Sequence, residues 1–243
     1  RYDERSQGTL QLFRSQKQLD ASARDLALLR EYDIPHRLLG HDQLSQHEPA
    51  LAAVRERFVG GLHLPRDETG DCLAFTRALA DKAAKLGVRF EFNCHIEALQ
   101  QEGERIVGVR TRAGVQQADA YLVALASHAP ALLAPLDIRL PIYPVKGYSL
   151  TVPITQADAA PRSTVMDETY KVAITRLGER IRIGGTAELN GFNLKIEPRR
   201  IATLQHVLAQ VFPHGGDVQR ATAWAGLRPM TFDGPPILGP TRY

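Results

Sequence analysis

Residues 224–240, WAGLRPMTFDGPPILGP, decide how the chain is read. A strand-like run from Trp224 delivers Arg228 directly in front of Pro229. Proline has no backbone N–H and ends a central strand, so the chain is expected to bend just after Arg228. Asp233-Gly234-Pro235-Pro236 then reads as a turn. An arginine at such a strand end can point into a cleft, where its fixed fork of donors suits a carboxylate in bidentate fashion.

Outward from that stretch, the chain from Ile142 onward is mostly β: IYPVKGYSLTVPI, YKVAITRLGERIRIGGTAE and VQRATAWAGLR. One helix interrupts it near Pro198 to Phe212, where Ile201, Leu204, Leu208 and Val211 form a stripe and Pro198 suits the first turn. The first half alternates. GTLQLF (Gly8 to Phe13) reads as a strand, and the following segment places Leu19, Ala23, Leu26 and Leu29 on one face of an amphipathic helix. A second helix is expected from about Leu73 to Leu86, with Phe75, Leu79, Ala83 and Leu86 on one face and Gly87 as its C-cap. VRFEFN (Val88 to Asn93) reads as a strand, and IEALQQ and RIVGVRTR as two more around the turn EGER. VQQADAYLVALAS then ends in an apolar β run. Strand, helix, strand, meander and buried strand form an α/β pattern.

The 243 residues suffice for one large domain or two smaller ones. A hydrophobic content of 44% and a charged content of 23% are ordinary for a globular chain. The net charge of +3, without a dense Lys/Arg run, argues against a nucleic-acid partner. Cys72 and Cys94 lack CxxC spacing, which points to a reducing compartment. Of the histidines, His36, His41 and His47 come closest to clustering. Their spacing matches no metal signature, they read as surface residues, and no metal is expected. The charged opening RYDERSQG is unlike a signal peptide. Ala120–Leu136, the longest uncharged stretch, is short for a membrane span and carries His128, Pro130 and Pro135, so a buried strand with a short helix is the better reading. The missing initiator Met leaves processing, or a longer chain, open.

Three segments carry a resemblance: PVKGYSLT (Pro144 to Thr151), DETYKVAITR with RIRIGGTAEL (Asp167 to Leu189), and the opening stretch extended to Thr241. They resemble the flavin-dependent amine oxidoreductases that include D-amino-acid oxidase, glycine oxidase and sarcosine oxidase. The likeness spans nearly the whole chain, and the segments are specific together although each alone is weak. It implies an α/β (α+β) fold: a mixed-sheet substrate-binding domain with helices on one face, plus part of a Rossmann-like FAD-binding domain. Residues 1–65 and 129–228 would form the substrate-binding domain, 66–128 the partial FAD-binding domain, and 229–243 the start of the return to it. Members open on a GxGxxG loop that receives the FAD pyrophosphate and finish on a Gly-rich segment near the flavin. Neither is present here, so the chain reads as an internal fragment that would not turn over alone.

The same resemblance implies site residues. Arg228 matches the arginine of GLRP that pairs with an amino-acid carboxylate, an interaction of roughly 2 to 5 kcal/mol when desolvated. For an arginine seen in isolation, a surface ion pair is the competing reading. Tyr170 resembles a substrate-site tyrosine, with Tyr148 a weaker candidate; a core strand tyrosine competes. For the cofactor FAD, Ile96, Ala124, Leu125 and Ala126 match main-chain contacts, with plain core packing as the alternative. Ala126 stands where members often have glycine. Lys146 and Gly147 fall in a P-x-[RK]-G strand that runs close to the flavin, against the alternative of an exposed strand lysine. The implied activity of bacterial dehydrogenase members is oxidation of a D-amino acid, D-alanine foremost, to a 2-oxo acid and ammonia. Their electrons pass to a membrane acceptor, a quinone or chain component, and the implied location is the cytoplasm or the cytoplasmic face of the inner membrane. Glycine or sarcosine oxidation, 2-hydroxy-acid dehydrogenation and a non-catalytic carboxylate-binding module stay open, as does the oligomeric state.

Overall fold

The computed structural model describes residues 2–243. Strand β1 (Thr9–Phe13) leads into helices α1 (Gln16–Ala21) and α2 (Ala23–Glu31). The Ser22 hydroxyl between the helices donates to the carbonyl of Leu19 at 2.6 Å, and this local bond splits the single helix expected there. Next come β2 (Arg37–Gly40), α3 (His41–His47), a 3-10 stretch over Pro49–Arg57, and β3 (Gly60–Leu64). Helix α4 (Cys72–Lys85) starts where the Asp71 carboxylate accepts the amides of Leu73 and Ala74 at 2.9 and 3.0 Å. It stops at Gly87, whose φ of 96° only glycine adopts readily. Then follow β4 (Ile96–Glu102), β5 (Arg105–Thr111), β6 (Gly114–Gln116) and α5 (Ala129–Leu133). The remainder is β7 (Ile142–Pro153), β8 (Thr164–Asp167), β9 (Val172–Leu177), β10 (Arg180–Leu189), α6 (Pro198–Val211) and β11 (Thr222–Thr231).

Eight strands form one sheet in the order β11-β7-β10-β9-β8-β1-β3-β2, and β4-β5-β6 form a second. The large sheet is mixed. β1 runs parallel to β8, with Thr9 opposite Thr164 and Leu12 opposite Asp167, while the β1–β3, β2–β3, β8–β9 and β9–β10 pairs are antiparallel. A mixed sheet with helices is the α/β architecture expected from the sequence.

The described residues divide into two compact units. The first holds the residues up to Ala83 with Gly147–Ala187 and Lys195–Ala225; the second holds Ala84–Lys146, Glu188–Leu194 and Gly226–Tyr243. In the first, alternate residues of the strands (Leu10, Leu12, Val165, Val172, Ile174, Ile181, Ile183) meet Leu204, Val207, Leu208 and Val211 of α6 and Leu51 and Val54 of the 3-10 stretch. Each such side chain contributes about 1.5 to 3 kcal/mol by leaving water. Phe13, next to Leu12 and so on the opposite face, packs with Leu26 and Leu62 and with the partly buried Leu19 and Leu29. In the second unit Ala129, Leu133 and Leu136 form a small core with the partly buried Leu99 and Ile106.

Three expectations are corrected. Val88–Asn93 and Ala120–Leu125 form no strand. A parallel, doubly buried strand needs neighbours to bond, and among the described residues neither run has one; Leu122 is 93% exposed. The α4 face of Leu73, Phe75 and Leu79 is likewise exposed rather than buried. Finally, the chain does not bend at Pro229: β11 continues to Thr231. It lies at the edge of its sheet, where a missing N–H is tolerated. The turn follows at Asp233-Gly234, with Gly234 at φ 97° and its amide donating to the Thr231 hydroxyl.

Candidate active site

Three neighbouring strands bring Arg228, Lys146 and Glu188 to the second unit. β7 lies between β11 and β10; within this unit they supply Gly226–Thr231, Ile142–Lys146, and Glu188 with Leu189. Lys146 has no solvent exposure, and its Nζ stands 2.9 Å from Glu188 Oε2. The lysine is therefore a buried, paired cation and not an exposed strand residue. Asn190 Nδ2 donates to the other Glu188 oxygen at 3.1 Å. Gly191, at φ 54°, turns the chain so that its amide donates to the Tyr143 hydroxyl at 3.1 Å, and Phe192 stacks on His128.

Arg228 differs from this pair. It is exposed, and among the described residues its guanidinium makes no hydrogen bond, ion pair or ring contact. Lys146 and Glu188 neutralise each other, so Arg228 carries an uncompensated positive charge with five free donors. That is the electrostatic requirement for holding a carboxylate.

The residues matched to FAD divide between the units. Ile96 opens β4 half-buried, while Ala124, Leu125 and Ala126 are exposed, all in the second unit. Ala126 adopts φ 49°, the left-handed conformation in which glycine is at home and alanine is strained. Gly147, in the first unit, has no atom within 4 Å of where a Cβ would stand. Within the second unit, the main chain at Ala124–Ala126 is exposed and open to backbone contacts. Among the described residues no group of three or more His, Cys, Asp or Glu could hold a metal.

The two tyrosines lie in the first unit. Tyr148 is buried in its core. Tyr170 is half-exposed on a loop organised by Asp167, which is fully buried. The Asp167 carboxylate accepts the amides of Thr169 and Tyr170 at 2.9 and 3.3 Å, and Nε and Nη2 of Arg14 at 2.8 and 2.7 Å. The Arg14 guanidinium lies between rings, 5.0 Å from the centre of Phe58 and 5.5 Å from that of Tyr170. The Tyr170 hydroxyl is 3.3 Å from His206 Nε2. The sequence reading missed Glu188, Asp167 and Arg14. The acid that opens DETYK is the only local hint of the last two, since an Asp before a turn commonly binds its own loop.

His47 is also corrected. It is half-buried, and its ring lies 3.9 Å from that of His63. The packing of the end of α3 against β3, not sequence spacing, brings these two imidazoles together.

The second unit thus presents an exposed, uncommitted arginine on β11 and a buried, mutually neutralised Lys146–Glu188 pair on the two strands next in order, with exposed main chain at Ala124–Ala126. The chain belongs to the FAD dependent oxidoreductase family, whose model matches residues 1–243. It is 61% identical over 242 residues to the D-amino acid dehydrogenase of Bradyrhizobium diazoefficiens, covering 100% of this chain and 58% of that protein. Against the D-amino acid dehydrogenase of Xanthobacter autotrophicus it is 60% identical over 242 residues, covering 99% and 58%. Among solved structures, glycine oxidase from Geobacillus kaustophilus superposes with a TM-score of 0.86 at 25% identity, over 98% of this chain and 63% of that one. The chain thus spans under two thirds of the length of these relatives.

Proposed function

We propose that the chain provides the substrate-binding part of an FAD-dependent D-amino acid dehydrogenase. The observation that carries this is 61% identity along the whole chain to such a dehydrogenase, together with the uncommitted Arg228 on β11. The likeness to glycine oxidase is close in shape but much weaker in sequence, so a D-amino acid is the favoured substrate class and D-alanine the first candidate. FAD, when bound, would accept the Cα hydrogen of the substrate as hydride. Arg228 holds the substrate carboxylate by two parallel N–H···O bonds and so fixes which face of Cα is presented. In the first unit, Tyr170, propped by Asp167 and Arg14, is the tyrosine that this reading assigns to substrate binding. Ala124–Ala126 supply main-chain surface for the cofactor. The electron acceptor in this reading is a membrane quinone or chain component; no helix among the described residues is long and apolar enough to cross a membrane, which is compatible with a peripheral location.

The test is D-alanine-dependent dye reduction, with FAD added, by the chain and by the chain joined to the remaining length of the Bradyrhizobium relative. Arg228→Lys should raise KM strongly and collapse kcat/KM, because a point charge does not replace the fork. Unchanged kinetics would remove Arg228 from the site.

A further inference from the structure

A cavity of about 410 Å³ opens in the first unit, lined among others by Arg5, Glu48, His63, Arg162 and Ser163. It shares no residue with the candidate active site. Its wall concentrates unmet polar groups. Of the eight buried side-chain N and O atoms without a hydrogen-bond partner among the described residues, four belong to this lining: Arg5 Nε, Glu48 Oε1, His63 Nδ1 and Ser163 Oγ. Buried polar atoms are nearly always satisfied, so a cluster of orphans marks a place built for something else to fill.

The orphans are of two kinds. Glu48 is 4% exposed; its Oε2 accepts the Arg162 amide at 2.8 Å while Oε1 has no partner. His63 is 6% exposed. Its Nε2 faces the Gln7 carbonyl at 3.5 Å, which assigns the proton there and leaves Nδ1 as an acceptor. The close approach of Gly8 makes room for this ring, since a Cβ there would fall 2.5 Å from Nε2. Burial holds both His63 and His47 below the ordinary imidazole range, so neither supplies a cation at neutral pH. Against these acceptors stand donors: Arg5 Nε, the Ser163 hydroxyl, and the exposed Arg162, whose guanidinium makes no hydrogen bond or ion pair among the described residues. Glu48 makes no direct ion pair with an arginine of the same wall; burial, the larger effect, holds its carboxyl above the ordinary range, and Arg162 and Arg176 attract its carboxylate only through space. A buried carboxylate oxygen that no guanidinium touches and guanidinium donors that no anion touches, in one ligand-sized cavity, suit a molecule that brings both charges into direct contact.

We propose that this cavity binds a free, zwitterionic α-amino acid, its ammonium on Glu48 Oε1 and His63 Nδ1 and its carboxylate on Arg162, Arg5 and Ser163. Water filling the volume would satisfy hydrogen bonds but bring no charge into direct contact with the Glu48 carboxylate or the Arg162 guanidinium.

The experiment is calorimetric titration of the chain with L-alanine, in parallel with propionate and ethylamine, which each carry one of its charges. All three are repeated on Arg228→Ala, so that occupancy of the proposed carboxylate clamp does not enter, and no turnover or FAD is required. L-alanine should bind saturably to the chain and to Arg228→Ala alike, propionate and ethylamine should fail, and Glu48→Gln and Arg162→Ala should each weaken binding by about tenfold or more. Arg162 is exposed, so its variant decides the matter if Glu48→Gln does not fold. No saturable binding below about 10 mM would overturn the proposal, as would propionate binding as well as L-alanine, or binding that survives Arg162→Ala but not Arg228→Ala.

Discussion

Lys146 Nζ and Glu188 Oε2 stand 2.9 Å apart, the lysine without any solvent exposure. Residues on neighbouring strands thereby hold a full charge inside the protein. Glu188→Gln should cost about 3 kcal/mol or more, because it leaves a buried ammonium without its carboxylate. The double change Lys146→Met with Glu188→Leu should recover most of that loss. Urea midpoints at constant m-value measure both, and a single variant as stable as the parent would show that the pair is not a structural requirement.

Asp167 and Arg14 act on Tyr170 through the loop they hold. Asp167→Asn keeps an oxygen for the amides of Thr169 and Tyr170 but removes the charge that binds Arg14 twice. A loss of about 2 kcal/mol is expected. In an active chimera with the Bradyrhizobium relative, KM for D-alanine should also rise several-fold while kcat changes less. A stability loss with KM unmoved would separate Tyr170 from the substrate.

Ala126 tests the backbone. At φ 49° an alanine is strained by about 1 kcal/mol, and glycine relieves it at a comparable cost in chain entropy. Ala126→Gly should therefore leave Tm unchanged or slightly raised. Ala129→Gly, at helical φ −58° three residues on, should lower stability by roughly 0.5 to 1 kcal/mol.

Asp71 predicts a pH dependence. The amide of Ala74 is the chief cause holding its carboxyl below the ordinary 3.8, helped by the Arg180 guanidinium and the Leu73 amide against some burial. A depressed folded value means stability that is present above the unfolded value and lost as pH falls through the folded one. Asp71→Ala should cost about 1 kcal/mol at neutral pH, and parent and variant should converge under strong acid. A gap that persists there would mean the cap acts through shape and not charge.

Legibility in the sequence followed the range of the forces involved. The extent of α4 and its stop at Gly87, the hairpin of β4 and β5, and the stripe of α6 depend on neighbours three or four residues away, and the sequence shows them. Whether Val88–Asn93 forms a strand depends on what lies beside it, and composition carries no trace of that. Pro229 signals a bend only in a central strand, whereas β11 sits at the edge, a fact of sheet order alone. Arg228 could be singled out because Gly-Leu-Arg-Pro is local. Glu188 could not, since its significance lies in Lys146, which a different strand delivers. The His47–His63 contact and the orphaned Glu48 are hidden for the same reason.

The parallel pairing of β1 with β8 has a bearing on how the molecule comes into being. Thr9–Leu12 can settle against Thr164–Asp167 only after the ribosome has made more than a hundred and fifty further residues, on the order of ten seconds or longer at ordinary elongation rates. Until then β1 has β3 on one side and bare backbone on the other, an adhesive edge in a crowded cell. Closing so long a loop is slow in itself, so the nascent chain spends that interval in need of a chaperone or of luck.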